Sequence, residues 1–223
     1  MDFRQKQTYQ RYGAIKSFVN MIPCLLCLLF SFQATAAEPL KILMLGDSLT
    51  AGYGLVKGQS VPAQLEKRLN AEGVNVRIIN AGVSGDTTAG GLARMKWALT
   101  EDPKGLIIEL GANDGLRGLD PKQTFENLDA IINQALAADL EILLTGMLAP
   151  PNLGPEYSQE FNRIYPLLAQ YHGIDLYPFY LEGIVSDPAL NLADGIHPNE
   201  QGVAVIVKNL MPYVKALIAK IEN

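Results

Sequence analysis

The sequence predicts an α/β protein, a three-layer α/β/α sandwich in which a five-stranded parallel sheet lies between helices. Two observations predict this class. From residue 40 onward, five short apolar segments alternate with longer segments of helical apolar spacing. The first of them, 41–45, is almost continuously apolar, as expected for a strand buried on both faces. Strands that alternate with helices form βαβ units with right-handed crossovers and therefore a parallel sheet.

The five predicted strands are short and bounded by glycine or polar residues. The second strand alternates Asn75 and Arg77 with apolar residues, which indicates a position at the edge of the sheet. Functional sites in open parallel sheets lie at the carboxyl ends of the strands. The predicted strands span 41–45, 74–79, 105–110, 141–145 and 174–177.

Five helices are predicted in and after the connections. Gly73 lies just beyond the first helix, where glycine is a common stop signal. Pro121 opens the third helix, because proline is favoured in a first helical turn. The predicted helices span 61–71, 88–99, 121–138, 157–171 and 198–221.

Composition restricts the class of protein. A chain of 223 residues fits one domain, and 48% hydrophobic with 18% charged residues is typical of a folded protein rather than a disordered one. The net charge is −5, and no cluster of basic residues occurs beyond the first few positions. This balance argues against nucleic acid as a partner.

The N-terminal segment 1–37 is interpreted as a secretory signal peptide. Four basic residues precede an apolar run, and Ala34 and Ala36 supply the small residues of a cleavage site. A membrane anchor is the alternative, but the run of about 12 residues is well short of the ~20 that span a bilayer. We therefore expect a mature domain of residues 38–223, periplasmic or secreted, without a membrane span. Both cysteines lie within the signal, so no disulfide is expected in the mature domain.

Histidine is scarce, and the two present differ in context. His172 precedes Gly173 at a helix end, where a cation interacts favourably with the helix dipole. His197 lies in the segment Asp-Gly-Ile-His-Pro before the last helix, and Asp194 stands three residues upstream. A carboxylate at that spacing can hold one ring nitrogen and leave the other free as a general base. Alone, this pair is weak support for catalysis.

Ser48 follows the first strand in the segment Gly-Asp-Ser-Leu-Thr-Ala-Gly. A phosphate loop would require Gly-Lys-Ser/Thr, and no lysine is present. A dinucleotide fingerprint would require Gly-x-Gly-x-x-Gly at the turn, whereas only Gly52 and Gly54 occur, later in the chain. Two interpretations remain from this segment alone, a serine that caps a helix and a catalytic nucleophile.

Two further clusters favour the nucleophile. Gly82 follows the second strand and Asn113 follows the third, so both lie at the same end of the sheet as Ser48. Each alone is an ordinary turn residue. Together, the backbone N–H groups of Ser48 and Gly82 and the Asn113 side-chain amide form a predicted oxyanion hole. With Asp194 and His197, they predict a serine hydrolase.

These four blocks resemble the SGNH (GDSL) hydrolase family. They are Ser48 in GDSL, Gly82 in NAGVSGDT, Asn113 in GAND and His197 in DGIHP, and the resemblance extends from about Lys41 to the C-terminus. Segments such as GDSLTAGYGL and ELGANDGLRG are most similar to the exported arylesterase, acyl-thioesterase and lysophospholipase branch. The resemblance implies a flavodoxin-like strand order 2-1-3-4-5 and a catalytic triad of Ser48, His197 and Asp194.

The expected activity is hydrolysis of aryl and alkyl esters, acyl thioesters or lysophospholipids through an acyl-serine, without cofactor or metal. Leu116 and Leu119, on a loop with glycines at 115 and 118, are candidates to contact the acyl chain. Pro150 is a third candidate, because its loop shapes the acyl pocket in the branch that the sequence resembles. The expected partner is a small-molecule acyl substrate, and the expected state is a monomer.

Three alternatives remain open. The first is an O-acetyl esterase of carbohydrate or peptidoglycan within the same family. The second is a binding module that keeps the fold without catalysis, and the third is a flavodoxin-like protein that binds a nucleotide or flavin. The missing phosphate loop argues against the third.

Overall fold

Five parallel strands form one sheet in the order β2-β1-β3-β4-β5. The computed structural model describes residues 38–223, and the predicted signal peptide 1–37 lies outside the described residues. The predicted fold class and strand order are confirmed. The strands are β1 (Leu40–Gly46), β2 (Val76–Gly82), β3 (Gly105–Glu109), β4 (Glu141–Thr145) and β5 (Asp175–Tyr177).

Helices cover the sheet. Helix α2 packs against α8, while α5 packs against α3 and α7. The helices are α1 (Ser48–Ala51), α2 (Val61–Ala71), α3 (Thr88–Ala98), α4 (Ala112–Leu116), α5 (Pro121–Leu136), α6 (Pro155–Asn162), α7 (Ile164–His172) and α8 (Glu200–Ile221). Short 3₁₀ turns occur at Leu99–Glu101 and Pro151–Leu153.

Two predicted helices differ from the structure for reasons that lie in single residues, a proline in one case and a capping asparagine in the other. The segment 157–171 forms two helices, α6 and α7, which meet at Arg163. Pro166 has no N–H to donate to the carbonyl of Asn162, so the hydrogen-bond ladder is interrupted there. The last helix begins at Glu200 rather than Pro198, because the Asn199 side chain caps it by accepting from the N–H groups of residues 201 and 202.

The predicted edge position of the second strand is confirmed, although β2 starts and ends later than predicted. Three of its outward-facing backbone groups are bound by side chains of α2. Glu66 Oε2 accepts from Ile78 N at 2.8 Å, and Asn70 Nδ2 donates to the Val76 carbonyl at 2.8 Å. Asn70 Oδ1 also accepts from Val76 N at 3.4 Å.

Apolar side chains of the central strands and of α8 form the core. By length and composition, α8 is the one helix among the described residues that could cross a membrane. Its apolar face is instead occupied within the fold, since Ile206, Val207, Leu210, Val214 and Leu217 are fully buried. It is therefore the core helix of this domain.

Candidate active site

Strand register brings three loops to one end of the sheet. Gly46, the last residue of β1, pairs with Gly82 of β2 and with Glu109 of β3. The loops that follow these three strands therefore begin side by side at the carboxyl end of the sheet. As a result, α1, the turn after β2 and α4 surround a single cavity.

Ser48 is the first residue of α1, a helix of a single turn. Asp47 caps it, since its Oδ1 accepts from Leu49 N at 2.9 Å. Gly52 ends it with a φ of +83°, a left-handed conformation that suits glycine. Amides in the first turn of a helix have no acceptor within the helix. The Ser48 N–H is thus left available beside its own hydroxyl.

The structure brings the three predicted triad residues together. Ser48 Oγ lies 2.8 Å from His197 Nε2, and His197 Nδ1 lies 2.7 Å from Asp194 Oδ2. The other oxygen of Asp194 accepts the backbone N–H groups of Ile196 and His197, both at 3.1 Å. A positive φ at Gly195 lets the chain turn tightly enough for this arrangement. The ring of Tyr53 covers the imidazole at a centroid distance of 4.5 Å.

The acid of this group remains near solvent. The Asp194 side chain is 37% exposed and that of His197 is 16% exposed. Partial desolvation raises the pKa of Asp194, but the hydrogen bonds that it accepts outweigh this and hold the pKa below its usual value. Asp194 is therefore ionised near neutral pH.

Asn113 lies on α4 and also faces the cavity. Its Nδ2 donates to Asp47 Oδ2 at 3.0 Å. An amide nitrogen carries two hydrogens, so one hydrogen is held by Asp47 and the other remains for a ligand. The fully buried Asp47 thus fixes the Asn113 amide and caps α1 at the same time.

A second buried carboxyl, Glu109, lies under the same turn. Its Oε2 accepts from Thr50 Oγ1 at 2.8 Å and from Asp47 N at 3.3 Å, and its Oε1 has no partner among the described residues. Burial, followed by the nearby charge of Asp47, raises the pKa of Glu109 well above its usual range. Burial likewise raises the pKa of Asp47 to about 6, despite the hydrogen bonds from Leu49 and Asn113. The raised pKa values of Glu109 and Asp47 favour the protonated form of these carboxyls.

The structure does not bring Gly82 to the cavity as predicted. Its N–H donates to Asn80 Oδ1 at 2.9 Å, and a side chain there would lie 2.2 Å from Ala51 N. Gly82 is therefore small because α1 packs closely against β2. The cavity is instead lined by Gly85, three residues further on.

Gly85 occupies the third position of a four-residue turn. Asp86 N donates to the Val83 carbonyl at 3.0 Å, and Gly85 has a φ of +84°, as in a type II turn. Its carbonyl accepts from Arg117 Nη2 at 2.7 Å. Within residues 38–223, the N–H of Gly85 has no acceptor, and the same holds for that of Ser48. The signal in the sequence was the spacing Val-Ser-Gly-Asp, a turn with glycine where a positive φ is required.

The cavity has a volume of about 690 Å³ and is mainly apolar. Leu116 and Pro150 line it as predicted, whereas Leu119 is not among its lining residues and instead offers its carbonyl to the Tyr157 hydroxyl at 2.8 Å. Met147 and Leu148 also line the cavity and lie on the Pro150 loop, which was expected to shape it. Sequence reasoning missed the contribution of the later loops, which comes from Phe179, Leu181, Ile184, Val185 and Ile196. In the described part of the chain, no cluster of three or more metal-ligating side chains occurs.

Three comparisons place the chain among known proteins. Residues 44–205 match the model of the GDSL-like lipase/acylhydrolase family. Esterase TesA of Pseudomonas aeruginosa is 42% identical over 196 residues, which cover 87% of this chain and 96% of the relative. Thioesterase 1/protease 1/lysophospholipase L1 of Escherichia coli K12 is 39% identical over 198 residues, covering 86% and 93%.

A solved structure extends the likeness to three dimensions. The SGNH-hydrolase family esterase AlinE4 is 48% identical, covers 80% of this chain and 96% of its own, and superposes with a TM-score of 0.69. Sequence identity above 30% over most of both chains, and a family match over most of the domain, agree with the fold. The chain belongs to the GDSL-like lipase/acylhydrolase family, the SGNH hydrolases, and is an enzyme that hydrolyses ester bonds.

Proposed function

We propose that Ser48, His197 and Asp194 form the catalytic triad and that the enzyme cleaves acyl esters and thioesters through an acyl-serine. The observation that carries this proposal is the unbroken chain of contacts, 2.8 Å from serine to imidazole and 2.7 Å from imidazole to carboxylate. In such a triad, the carboxylate fixes the tautomer and stabilises the imidazolium, and the imidazole takes the serine proton.

The reaction proceeds in two halves. Ser48 Oγ attacks the acyl carbonyl while His197 Nε2 takes its proton, and the carbonyl oxygen becomes an oxyanion. When the tetrahedral species collapses, the bond to the leaving oxygen or sulfur breaks, and His197 gives that atom the proton. Water then attacks the acyl-serine with His197 again as the base, and the acid is released with Ser48 restored.

Three donors stabilise the oxyanion in this proposal: the N–H groups of Ser48 and Gly85 and Nδ2 of Asn113. Gly85 replaces Gly82 in this role. The reasons are that the Gly85 amide lines the cavity without an acceptor, while the Gly82 amide is engaged by Asn80. Donors that are aimed before the charge forms are effective because they need no reorganisation during the reaction.

The apolar lining of the cavity suits substrates with an apolar acyl chain. Such substrates include aryl and alkyl esters, acyl thioesters and lysophospholipids. Apart from Tyr53, only Asp47 and His197 are titratable among the residues that line it, and Asp47 is buried. A site for acetylated carbohydrate would need polar groups for the sugar. The apolar lining contributed by residues 147–151 and 179–185 argues for the longer chain instead.

We also propose that the enzyme acts outside the cytoplasm, in the periplasm or as a secreted protein. The support is the basic start, apolar run and Ala-Thr-Ala spacing of residues 1–37. Export would be tested by fractionating cells that express the full chain and by determining the N-terminus of the mature protein. A mature N-terminus near residue 38 is expected, and an intact residue 1 in the cytoplasmic fraction would contradict the proposal.

The central experiment measures kcat/KM on p-nitrophenyl esters with acyl chains of two to sixteen carbons, for the enzyme and for Ser48→Ala. We expect a preference for chains longer than acetyl, since the cavity offers apolar contact area beyond the first carbons. We expect Ser48→Ala to be inactive on all of them. Near-normal activity of Ser48→Ala would contradict the triad, and a sharp preference for acetyl would support the O-acetyl esterase alternative.

A further inference from the structure

Arg94, on α3, contacts three separate segments at the end of the sheet that carries the active site. Its Nη2 donates to the Gly46 carbonyl at 2.8 Å, and its Nη1 donates to the Ala81 carbonyl at 2.7 Å. Its Nε donates to Asp86 Oδ2 at 2.6 Å. One guanidinium therefore joins the end of β1, the end of β2 and the turn that follows β2.

These contacts lie next to the proposed oxyanion donors. Gly46 is two residues before Ser48, and Asp86 directly follows Gly85. At these points the chain leaves the sheet and the regular ladder of hydrogen bonds ends. The two turns that carry the Ser48 and Gly85 amides consequently need other contacts to fix their separation. Arg94 supplies such contacts, to Gly46 before the first turn and to Asp86 in the second.

The surroundings of Arg94 are built for these contacts. The ion pair is largely buried, with exposed fractions of 17% for Arg94 and 18% for Asp86. Gly90, on α3, leaves room for it, because a side chain there would lie 2.4 Å from Asp86 Oδ1. The Gly46 carbonyl accepts a second hydrogen bond, from Val83 N at 3.0 Å, so it is a junction between the two turns.

We propose that Arg94 is a positioning residue for the oxyanion hole, which sets the distance and orientation of the Gly85 amide relative to the Ser48 amide. The proposal rests on the proposed function of these amides. Arginine suits this role because its planar fork donates in three fixed directions, whereas lysine offers one nitrogen on a flexible stem. Arg94 touches neither substrate nor the reacting atoms.

The test uses Arg94→Gln and Arg94→Lys, assayed on p-nitrophenyl butyrate. We expect kcat to fall about 10- to 100-fold with little change in KM, because displacement of catalytic groups by about 1 Å can cost this much. Lysine is expected to restore only a small part of kcat. Asp86→Asn, which removes the ion pair and leaves both carbonyl contacts, is expected to lose less.

A second measurement separates positioning from general loss of structure. An alkylboronic acid forms a tetrahedral adduct on serine that requires the oxyanion donors, whereas butyrate occupies the acyl site as a planar product. We expect the Kd of the boronic acid to rise in Arg94→Gln by about the same factor as kcat falls. The Kd of butyrate is expected to stay within about twofold.

The matched control is His172→Gln. The contact between His172 Nε2 and Asp129 Oδ1 is also 2.6 Å long and largely buried, but it joins α7 to α5 and touches no turn of the active site. We expect this variant to lower Tm without changing kcat or boronic acid binding. If Arg94→Gln does not fold, Arg94→Lys is judged by the same two measurements.

The outcomes are distinguishable. Full kcat in a folded Arg94→Gln or Arg94→Lys overturns the proposal for Arg94, while loss of activity in Ser48→Ala still supports the proposed function. An equal loss of boronic acid and butyrate binding also overturns it. A selective loss of kcat and boronic acid binding supports it.

Discussion

The two halves of the active site are built in opposite ways. The half with the proposed general base, His197, and its carboxylate partner, Asp194, lies on a loop between β5 and α8 and keeps contact with solvent. The half that carries the proposed nucleophile and the proposed oxyanion donors lies on turns directly after β1, β2 and β3. That half is supported from below by two fully buried carboxyls, Asp47 and Glu109.

The difference follows from what each half has to do. A general base must gain and lose a proton in each cycle, and contact with water keeps the cost of its charge low. Oxyanion donors must instead stay in place while a charge forms in front of them, which favours buried and cross-linked anchors. The proposed base and its carboxylate partner thus lie at the rim of the cavity, and the proposed oxyanion donors lie at the end of the sheet.

The largest effect is expected from removing the base. His197→Ala should lower kcat by about 10⁴–10⁶, because the triad acts as a unit. Since the imidazole lies at the rim of an open cavity, added imidazole should restore part of this activity. The measurement is kcat on p-nitrophenyl butyrate with imidazole titrated into the variant. Activity above a hundredth of that of the intact enzyme, without imidazole, would contradict the role of His197.

Loss of a single oxyanion donor is expected to cost less. Asn113→Ala should lower kcat by about 10²–10³ with a small change in KM, as expected for a contact made mainly in the transition state. Steady-state kinetics on the same ester would measure this, beside His172→Gln as a control. Acetamide should not restore activity, because the donor has to be held by Asp47 to be effective. A rise in KM alone would show that Asn113 binds substrate without stabilising the oxyanion.

Asp47 is expected to act through Asn113. Asp47→Ala removes the acceptor that holds the Asn113 amide and should lower kcat about 10- to 100-fold. Asp47→Asn keeps only one of the two acceptor oxygens, so it can hold either the Asn113 amide or the cap of α1, and it should lose less activity than Asp47→Ala. The pair is compared by kcat and by melting temperature, since both variants affect the cap of α1. Full kcat in a folded Asp47→Ala would contradict the role of Asp47 in holding the Asn113 amide.

The smallest effect on activity, but a clear one on stability, is expected from Glu109→Gln. The folded protein holds protons on Glu109 and Asp47 at pH values where the unfolded chain has released them, above about 4. The free energy of unfolding should therefore fall as the pH rises from about 4 through the raised pKa values of the pair. In Glu109→Gln this slope should be shallower, as measured by urea unfolding between pH 4 and 8. Equal slopes would show that the pair does not titrate as described.

The fold could be predicted almost completely, because continuous apolar strands and amphipathic helices leave periodic signals. Apart from the later bounds of β2, the main errors are in the helices, at points where a single residue overrides the apolar period. Pro166 interrupts the helix predicted over 157–171, and that proline was visible in the sequence. The start of α8 was placed two residues early, since proline and asparagine compete for the same boundary.

The sequence predicted which types of residue form the site, but not every position that supplies them. Ser48, Asn113 and His197 each follow or precede an element whose end is well defined, so their location was inferred correctly. The choice between Gly82 and Gly85 depends on which amide faces the cavity, and that is a matter of turn geometry. The apolar wall from residues 179–196 left no signal, because irregular loops have no period and fold against distant parts of the chain.

The edge of the sheet has a consequence for how molecules of this enzyme meet. At an unprotected edge strand, the free N–H and C=O groups serve as a template on which another chain can polymerise. Here Asn70 binds the N–H and C=O of Val76 and Glu66 binds the N–H of Ile78, so helix α2 takes the place of a neighbouring strand at these groups. The same connection that returns the chain from β1 to β2 thereby also protects this edge from fibre-forming contacts.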